Sequence, residues 1–260
     1  MNSRLLIKIG GRAFESEAGF KDLAVAIKRN PAIEVIIVHG GGAEISQALQ
    51  DAGRQTQFID GIRVTQAEDI KIVEAVLSGI INQRIAAWIG ANGIDCRRMS
   101  GKTENLFIVE PLTRGGLNWG YVGKIKQVNT RVVLEALKAG KVPVISPISV
   151  DENGASYNVN ADSAAAALAA AAQCTDLVFI TDVPGVLVRE RIQPTLTVEQ
   201  AQALIADGTI KGGMVAKLES AFEALANNVP RVHIIQWQGP DTLSDMANRQ
   251  FVSGTVIRSN

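Results

Sequence analysis

Cysteine, histidine and aromatic side chains are scarce in this chain of 260 residues: two Cys, two His and 5% Phe, Trp and Tyr. Cys96 and Cys174 form no CxxC and no Cys/His ligand pattern, so the sequence offers neither a zinc ribbon nor a dithiol redox centre. They read as small buried hydrophobes in a reducing compartment. His39 and His233 stand far apart along the chain, and each reads as structural. Net charge is also missing. Lys plus Arg and Asp plus Glu number 26 each, which leaves no basic footprint for a nucleic acid or a membrane surface. No apolar run is expected to span a bilayer; the nearest, 161–172, is interrupted by Asp162 and Ser163. The first residues carry no apolar leader, and a cytoplasmic location is expected. GxGxxG after the first strand, GxSxG and HExxH are absent. Ser100-Gly101-Lys102-Thr103 imitates the end of a P-loop, but the first glycine of that motif would fall at Cys96.

What is present is a 47% apolar composition rich in Ala, Val, Ile and Gly. That favours a parallel sheet of β-branched strands between alanine-rich helices. Short apolar runs predict strands at 5–9, 34–39, 94–99, 106–109, 142–148, 177–180 and 231–236. Helical periodicity predicts helices at 17–29, 43–52, 66–91, 130–139, 163–172, 197–206, 214–227 and 243–248. Their alternation gives an α/β fold, a three-layer αβα sandwich around an open, mostly parallel sheet, with an antiparallel excursion over 107–128. The long helix 66–91 carries Ile70, Ile72, Val73, Val76, Leu77, Ile80 and Ile81. This face reads as core in preference to a subunit seam. A soft division falls near residue 175, and no Pro/Ser linker cuts the chain into separate domains.

Chemistry gathers at glycine turns. Lys8-Ile9-Gly10-Gly11 and His39-Gly40-Gly41-Gly42 each close a strand. Glycine lets the backbone approach a ligand, and a following helix adds its free N–H groups, so such turns suit anionic oxygens. Asp60-Gly61-Ile62-Arg63-Val64-Thr65 puts an arginine in a glycine turn ahead of the long helix, where it can grip a carboxylate. In Tyr157-Asn158-Val159-Asn160-Ala161-Asp162, Asp162 reads either as the cap of the next helix or as a functional carboxylate, with Asn158 and Asn160 offering amide dipoles to one side. Thr181-Asp182-Val183-Pro184-Gly185-Val186 ends a strand, where α/β sheets bind ligands. Lys211-Gly212-Gly213-Met214-Val215-Ala216-Lys217 opens a helix with a lysine that, alone, reads as a solvated one.

Taken in order and spacing, KIGG, HGGG, DGIRVT, YNVNAD, TDVPGV and KGGMVAKL resemble the amino-acid kinase family over essentially the whole chain. DGIRVT together with NVNAD narrows the resemblance to its acetylglutamate-phosphorylating members and their aminoadipate-pathway relatives. The resemblance implies ATP-dependent phosphorylation of the γ-carboxylate of N-acetyl-L-glutamate, as in arginine biosynthesis. A kinase of carrier-protein-linked aminoadipate or glutamate is the alternative. It implies Lys8 and Lys217 as catalytic cations held by Asp162, and Gly10 and Gly11 on the phosphates. Gly41, Gly42, Arg63 and Asn158 would bind acetylglutamate, while Thr181, Asp182, Val183, Pro184, Gly185 and Val186 with Thr209, Ile210 and Lys211 would bind the nucleotide. Residues 1–174 would then be an acetylglutamate-binding lobe and 175–260 an ATP-binding lobe. Mg²⁺ is expected with ATP, held by phosphates and water, with no dedicated metal ligands. Because the first predicted strand begins near Arg4, no extra N-terminal helix is expected, and the expected assembly is an arginine-insensitive homodimer paired through helix 66–91.

Overall fold

The computed structural model describes residues 3–10, 14, 16–248 and 252–259. In chain order its elements are β1 (Ser3–Ile9), α1 (Glu17–Arg29), β2 (Ile33–His39), α2 (Gly42–Asp51), β3 (Gln57–Ile59), β4 (Ile62–Val64), α3 (Ile70–Glu74) and α4 (Asn82–Ala91). There follow β5 (Cys96–Ser100), β6 (Phe107–Pro111), β7 (Gly123–Val128), α5 (Arg131–Lys138), β8 (Val142–Ser146), β9 (Ile148–Val150), β10 (Ser156–Asn158) and α6 (Ala161–Ala171). The last part holds β11 (Asp176–Ile180), β12 (Leu187–Val188), β13 (Arg191–Ile192), β14 (Thr195–Thr197), α7 (Val198–Ala206), α8 (Gly213–Ala226), β15 (Arg231–Ile235), α9 (Thr242–Ala247) and β16 (Thr255–Arg258).

Eight strands form one sheet in the order β14-β16-β15-β11-β1-β2-β8-β5. From β15 to β5 all pairs are parallel, and β16 runs antiparallel to β15. Strands buried on both faces read as continuous apolar runs, and β1, β2 and β11 do so. Period-2 alternation divides them between two cores. Leu6, Ile36 and Val38 face α5, α6, α7 and α8. Leu5, Ile7, Val35 and Ile37 face α1, α2, α9 and the long helix. This is the αβα sandwich expected. β1 lies at the centre, with β2 on one side and β11 on the other, so the chain order reverses there. In open α/β sheets the crevice at the carboxyl ends of such strands is the ligand site.

Several boundaries differ from the sequence reading for identifiable reasons. The strand expected at 142–148 breaks at Pro147, which has no N–H for a ladder. β8 stays in the main sheet, while β9 joins the four-stranded sheet β10-β9-β6-β7, whose β6–β7 pair is the antiparallel excursion. The long helix starts at Ile70 and not at 66, because residues 67–69 form a turn and the buried Asp69 is held by Arg54 Nε at 2.7 Å. Its middle, Ala75–Ile81, is π-helical. Ile70, Val73, Val76, Leu77 and Ile81 are buried, Ile72 is partly buried and Ile80 stays 57% exposed. By length and composition alone the helix Ile70–Ala91 is apolar enough to cross a membrane, where no such stretch was expected; core helices pass the same test. The cap of α6 is Asn160, not Asp162: its side chain accepts the N–H groups of Asp162 and Ser163 at 2.9 and 3.1 Å. Asp60-Gly61, read as a turn before the long helix, is the two-residue loop of the hairpin β3–β4, with φ of 50° and 78°. Positive φ at both positions is the turn that matches strand twist.

The imitation of a P-loop is resolved by packing. Lys102 pairs with Glu74 at 2.7 Å, and a Cβ on Gly101 would lie 2.5 Å from Ser149 Oγ, 2.6 Å from Phe107 Cδ2 and 2.7 Å from Ile148 O. Gly101→Ala therefore forces apart a buried turn. The expected loss is about 1–3 kcal/mol in urea unfolding; an unshifted midpoint would show that the turn moves aside freely.

Candidate active site

Strand parity decides the centre of the site. Lys8 shares the face of Leu6, so its side chain leaves β1 toward the layer of α6 and α8. Asp162 lies in the first turn of α6, brought there by the Asn160 cap. Lys217 lies on the buried face of α8, whose N-terminal Gly212 has φ of 61°. Lys8 Nζ is 2.9 Å from Asp162 Oδ1, and Lys217 Nζ is 2.8 Å from Asp162 Oδ2. Lys217, which alone would read as solvated, is 7% exposed and stands 4.9 Å over the Phe179 ring. Two ammonium groups thus share one carboxylate in a buried place, and the trio carries one positive charge in excess. Desolvated charge without a partner is costly, so this centre favours an incoming anion.

The ionisation states follow from the same geometry. Burial alone would push the Asp162 carboxyl up, but the adjoining Lys8 and Lys217 outweigh it and hold it down at about 2. Burial, followed by the charge of Lys8, lowers Lys217, while Asp162 pulls the other way. With a lysine ammonium on each oxygen, Asp162 is held as a carboxylate. Among the described residues no group of three or more His, Cys, Asp or Glu side chains could hold a metal ion.

A cleft of about 1060 Å³ opens around this centre, over the carboxyl ends of β1, β2, β8 and the start of α6. Gly10 borders it; a Cβ there would be 2.8 Å from Lys8 Nζ and 3.3 Å from Ile180 O, so the bare glycine leaves room for the ammonium. Gly11 lies outside the described residues. A Cβ on Gly41 would fall 2.2 Å from Ile81 Cδ1 and 3.0 Å from Leu77 Cδ2, side-chain ends on the π-helical segment that would have to turn aside. Gly42 faces open space. Arg63 enters from β4 and is 6% exposed. It donates to Gly42 O at 2.6 Å, Ser46 Oγ at 2.9 Å and Thr56 Oγ1 at 3.1 Å, and lies 4.5 Å over the Phe58 ring. Its pKa is lowered by burial. Among the described residues no carboxylate pairs with it. Asn158 lines the same cleft and donates to Thr65 Oγ1 at 3.0 Å. Asn160, expected beside it, also lines the cleft, with its side-chain oxygen engaged by the N–H groups of Asp162 and Ser163.

The nucleotide segments lie beside the cleft more than in it. Thr181 follows β11 and its N–H donates to Ile235 O; Asp182 lines the cleft. Val183 is exposed and Pro184 half-buried. Gly185 and Val186 are buried against Thr255, whose Oγ1 accepts the Val186 N–H at 2.8 Å. In the turn before α8, Thr209 is held by Asp207, Ile210 is buried and Lys211 is exposed. Sequence reasoning missed the pair Arg84–Glu44, at 2.5 Å, and Trp88 under it on the cleft wall. Forty residues separate the two charges, and no local pattern joins them.

The sheet order and the lysine-flanked cleft at its reversal define a phosphotransferase-like α/β sandwich, and comparison with known proteins agrees. A model of the amino acid kinase family matches residues 3–236, and the chain belongs to that family. It is 39% identical over 235 residues to the acetylglutamate kinase of Geobacillus kaustophilus, covering 90% of each chain, and 36% identical to that of Methylobacterium nodulans over 98% of this chain and 88% of the other. The crystal structure of smu.665 from Streptococcus mutans superposes with a TM-score of 0.81 at 27% identity and full coverage of both chains. Giardia carbamate kinase shares the fold, with a TM-score of 0.67 at 15% identity, covering 100% of this chain and 99% of the other.

Asp162 should show in acid unfolding. Its folded pKa lies below the ordinary carboxylate value of about 3.9, so its stabilisation is complete above that pH and is lost as the pH falls through about 2. Against Asp162→Asn, the gap in unfolding free energy, about 3–5 kcal/mol for a broken buried pair, should stay level above pH ~4 and narrow below it. A gap that does not vary with pH would mean that Asp162 is not ionised between the lysines.

Proposed function

We propose that this chain transfers the γ-phosphoryl group of ATP to the γ-carboxylate of N-acetyl-L-glutamate, giving the acyl phosphate and ADP. The observation that carries the reading is the cationic centre Lys8–Asp162–Lys217, in one cleft with a buried Arg63 that has no carboxylate partner among the described residues. The names of the relatives support it and favour free acetylglutamate over a carrier-linked substrate.

The acceptor carboxylate, with an ordinary pKa of about 4.3, is already ionised at neutral pH and needs no base. The obstacle is repulsion between two anions, and catalysis here is positioning with charge stabilisation. Arg63 takes the α-carboxylate and Asn158 a further polar group of the substrate. The N–H groups of Gly41 and Gly42 meet the acetylglutamate, and those of Gly10 and Gly11 the phosphates. Lys8 reaches from the substrate side and Lys217 from the nucleotide side, and both neutralise the oxygens of the migrating group. Asp162 aims both lysines. Residues 181–186 and 209–211 take the adenine and ribose. On this reading 1–174 is the acetylglutamate lobe and 175–260 the nucleotide lobe, and their strands occupy opposite halves of the sheet. Mg²⁺ would accompany the phosphates and neutralise their charge.

The reading also carries a cytoplasmic homodimer paired through the long helix, supported by Ile80 exposed on its outer side. Ile80→Asp should convert a dimeric mass in sedimentation to a monomeric one; a monomeric wild type rejects the pairing.

An ADP-release assay comparing N-acetylglutamate, glutamate, aspartate, α-aminoadipate and UMP tests the assignment, with N-acetylglutamate expected to be preferred. Lys8→Ala and Lys217→Ala should each lower kcat on the order of 10²–10³-fold, as each removes a group that stabilises the transition state. Normal turnover in either would remove it from the centre. Arg63→Ala should act on KM for acetylglutamate, raising it roughly 10–100-fold, the worth of a charged hydrogen bond. An unchanged KM would place the α-carboxylate elsewhere.

A further inference from the structure

His39, the last residue of β2, is 1% exposed and takes no part in the chemistry proposed above. Its ring lies at the junction of two polar contacts. Nδ1 is 2.9 Å from the carbonyl oxygen of Gly40, and Nε2 is 3.1 Å from Asn82 Nδ2. Asn82 stands directly after the π-helical segment and is itself 1% exposed. Its amide is oriented by three further contacts. Nδ2 donates one hydrogen to Val144 O at 2.9 Å, leaving the other for the ring with Met99 O at 3.3 Å beside it, and Oδ1 accepts from Arg98 Nε at 3.2 Å. Arg98 is fixed in turn by Ser78 O, within the π-helical segment, at 3.2 Å.

These contacts leave one consistent protonation. The Asn82 oxygen must face the arginine donor, so its NH₂ faces the ring and Nε2 can only accept. The ring proton therefore sits on Nδ1, which donates to Gly40 O. Burial keeps the imidazole neutral by lowering its pKa to about 4.

The consequence lies on the other side of the peptide. A trans peptide points its N–H opposite its C=O, and the described residues contain no cis bond. With the Gly40 carbonyl drawn to the buried ring, the Gly41 N–H points away from it, and His39, Gly40 and Gly41 all border the cleft. That N–H meets no acceptor among the described residues. A glycine–glycine peptide has little steric resistance to turning over, and a turned peptide would present a carbonyl oxygen to the incoming carboxylate.

We propose that His39 is a positioning residue which, as the Nδ1–H tautomer imposed by Asn82, locks the Gly40–Gly41 peptide with its N–H toward the acceptor carboxylate. The inference rests on the function proposed above, in that the anion met by this N–H is the acetylglutamate side chain. It extends that function to a residue outside the cleft chemistry, and makes the chain Arg98–Asn82–His39 a support for one backbone donor.

The test uses two amides of different reach. Asn can place an NH₂ where Nδ1 stands, and Gln where Nε2 stands. His39→Asn should recover most of the wild-type kcat. His39→Gln, which fills the space but cannot reach Gly40 O, should lower kcat about 10–100-fold, the cost of a misaimed group. KM for ATP should stay unchanged in both. A space-filling role predicts the reverse order, and equal loss or the reverse order overturns the proposal. ¹⁵N-resolved NMR of the imidazole in the full-length wild-type chain gives an independent reading that needs no variant to fold. Nδ1 protonated and Nε2 bare is expected, and a protonated Nε2 overturns the tautomer lock. If the wild type phosphorylates no acyl acceptor while the NMR shows the expected tautomer, the functional reading fails and the lock survives.

Discussion

One carboxylate between two ammonium groups organises this molecule. Lys8 comes from the central strand, Lys217 from a helix some two hundred residues later, and Asp162 from the helix packed between them. Ion pairs in water are weak, but this one is withdrawn from solvent, where a missing partner is expensive. The cluster therefore ties β1, α6 and α8 together. Among the described residues these three side chains carry one positive charge in excess at the place where the sheet opens. Stability and reactivity come from the same imbalance, since the fold holds the carboxylate fixed and the remaining charge is available to an anion.

The rest of the cleft is arranged around backbone approach. Glycines stand where a Cβ would strike the lysine ammonium or the long helix, as at Gly10 and Gly41. The π-helical stretch that meets Gly41 is part of the same arrangement. It carries Leu77 and Ile81 against the turn and Ser78 toward β5 and β8, and it hands on to Asn82, which supports His39. A π-helical insertion inside a long helix often marks such a site. Here it lets one helix serve the apolar core on one turn and a buried polar network on the next.

Much of this was legible in the chain. The strands and helices of the sandwich follow from apolar runs and helical periodicity, and helix 17–29 has its observed bounds. Lys8 and the glycines of the centre stood out because both residue types, at strand ends, suit anions, whereas Lys217 read as solvated by itself and took its role from the family resemblance. Other features were legible but misread. Asp60-Gly61 is a hairpin signal that was read as a simple turn, and Asn160 is as good a cap as Asp162. The break at Pro147 was visible too, since proline has no N–H for a ladder. The Arg84–Glu44 pair and the support of His39 by Asn82 had no local signature, because their partners lie forty or more residues apart.

By itself the sequence determined which segments could become strands and helices, where the backbone could turn on glycine, and which charged groups were available. Only the tertiary structure decided that Lys8 and Lys217 share Asp162, that Arg63 is buried with no carboxylate pair among the described residues, and that His39 lies between Asn82 and the Gly40 carbonyl. The reason is physical. Local conformation depends on side chains a few residues apart, which any window of sequence displays. Charge pairing and desolvation depend on distances through space, and those exist only after β1, α6 and α8 have packed.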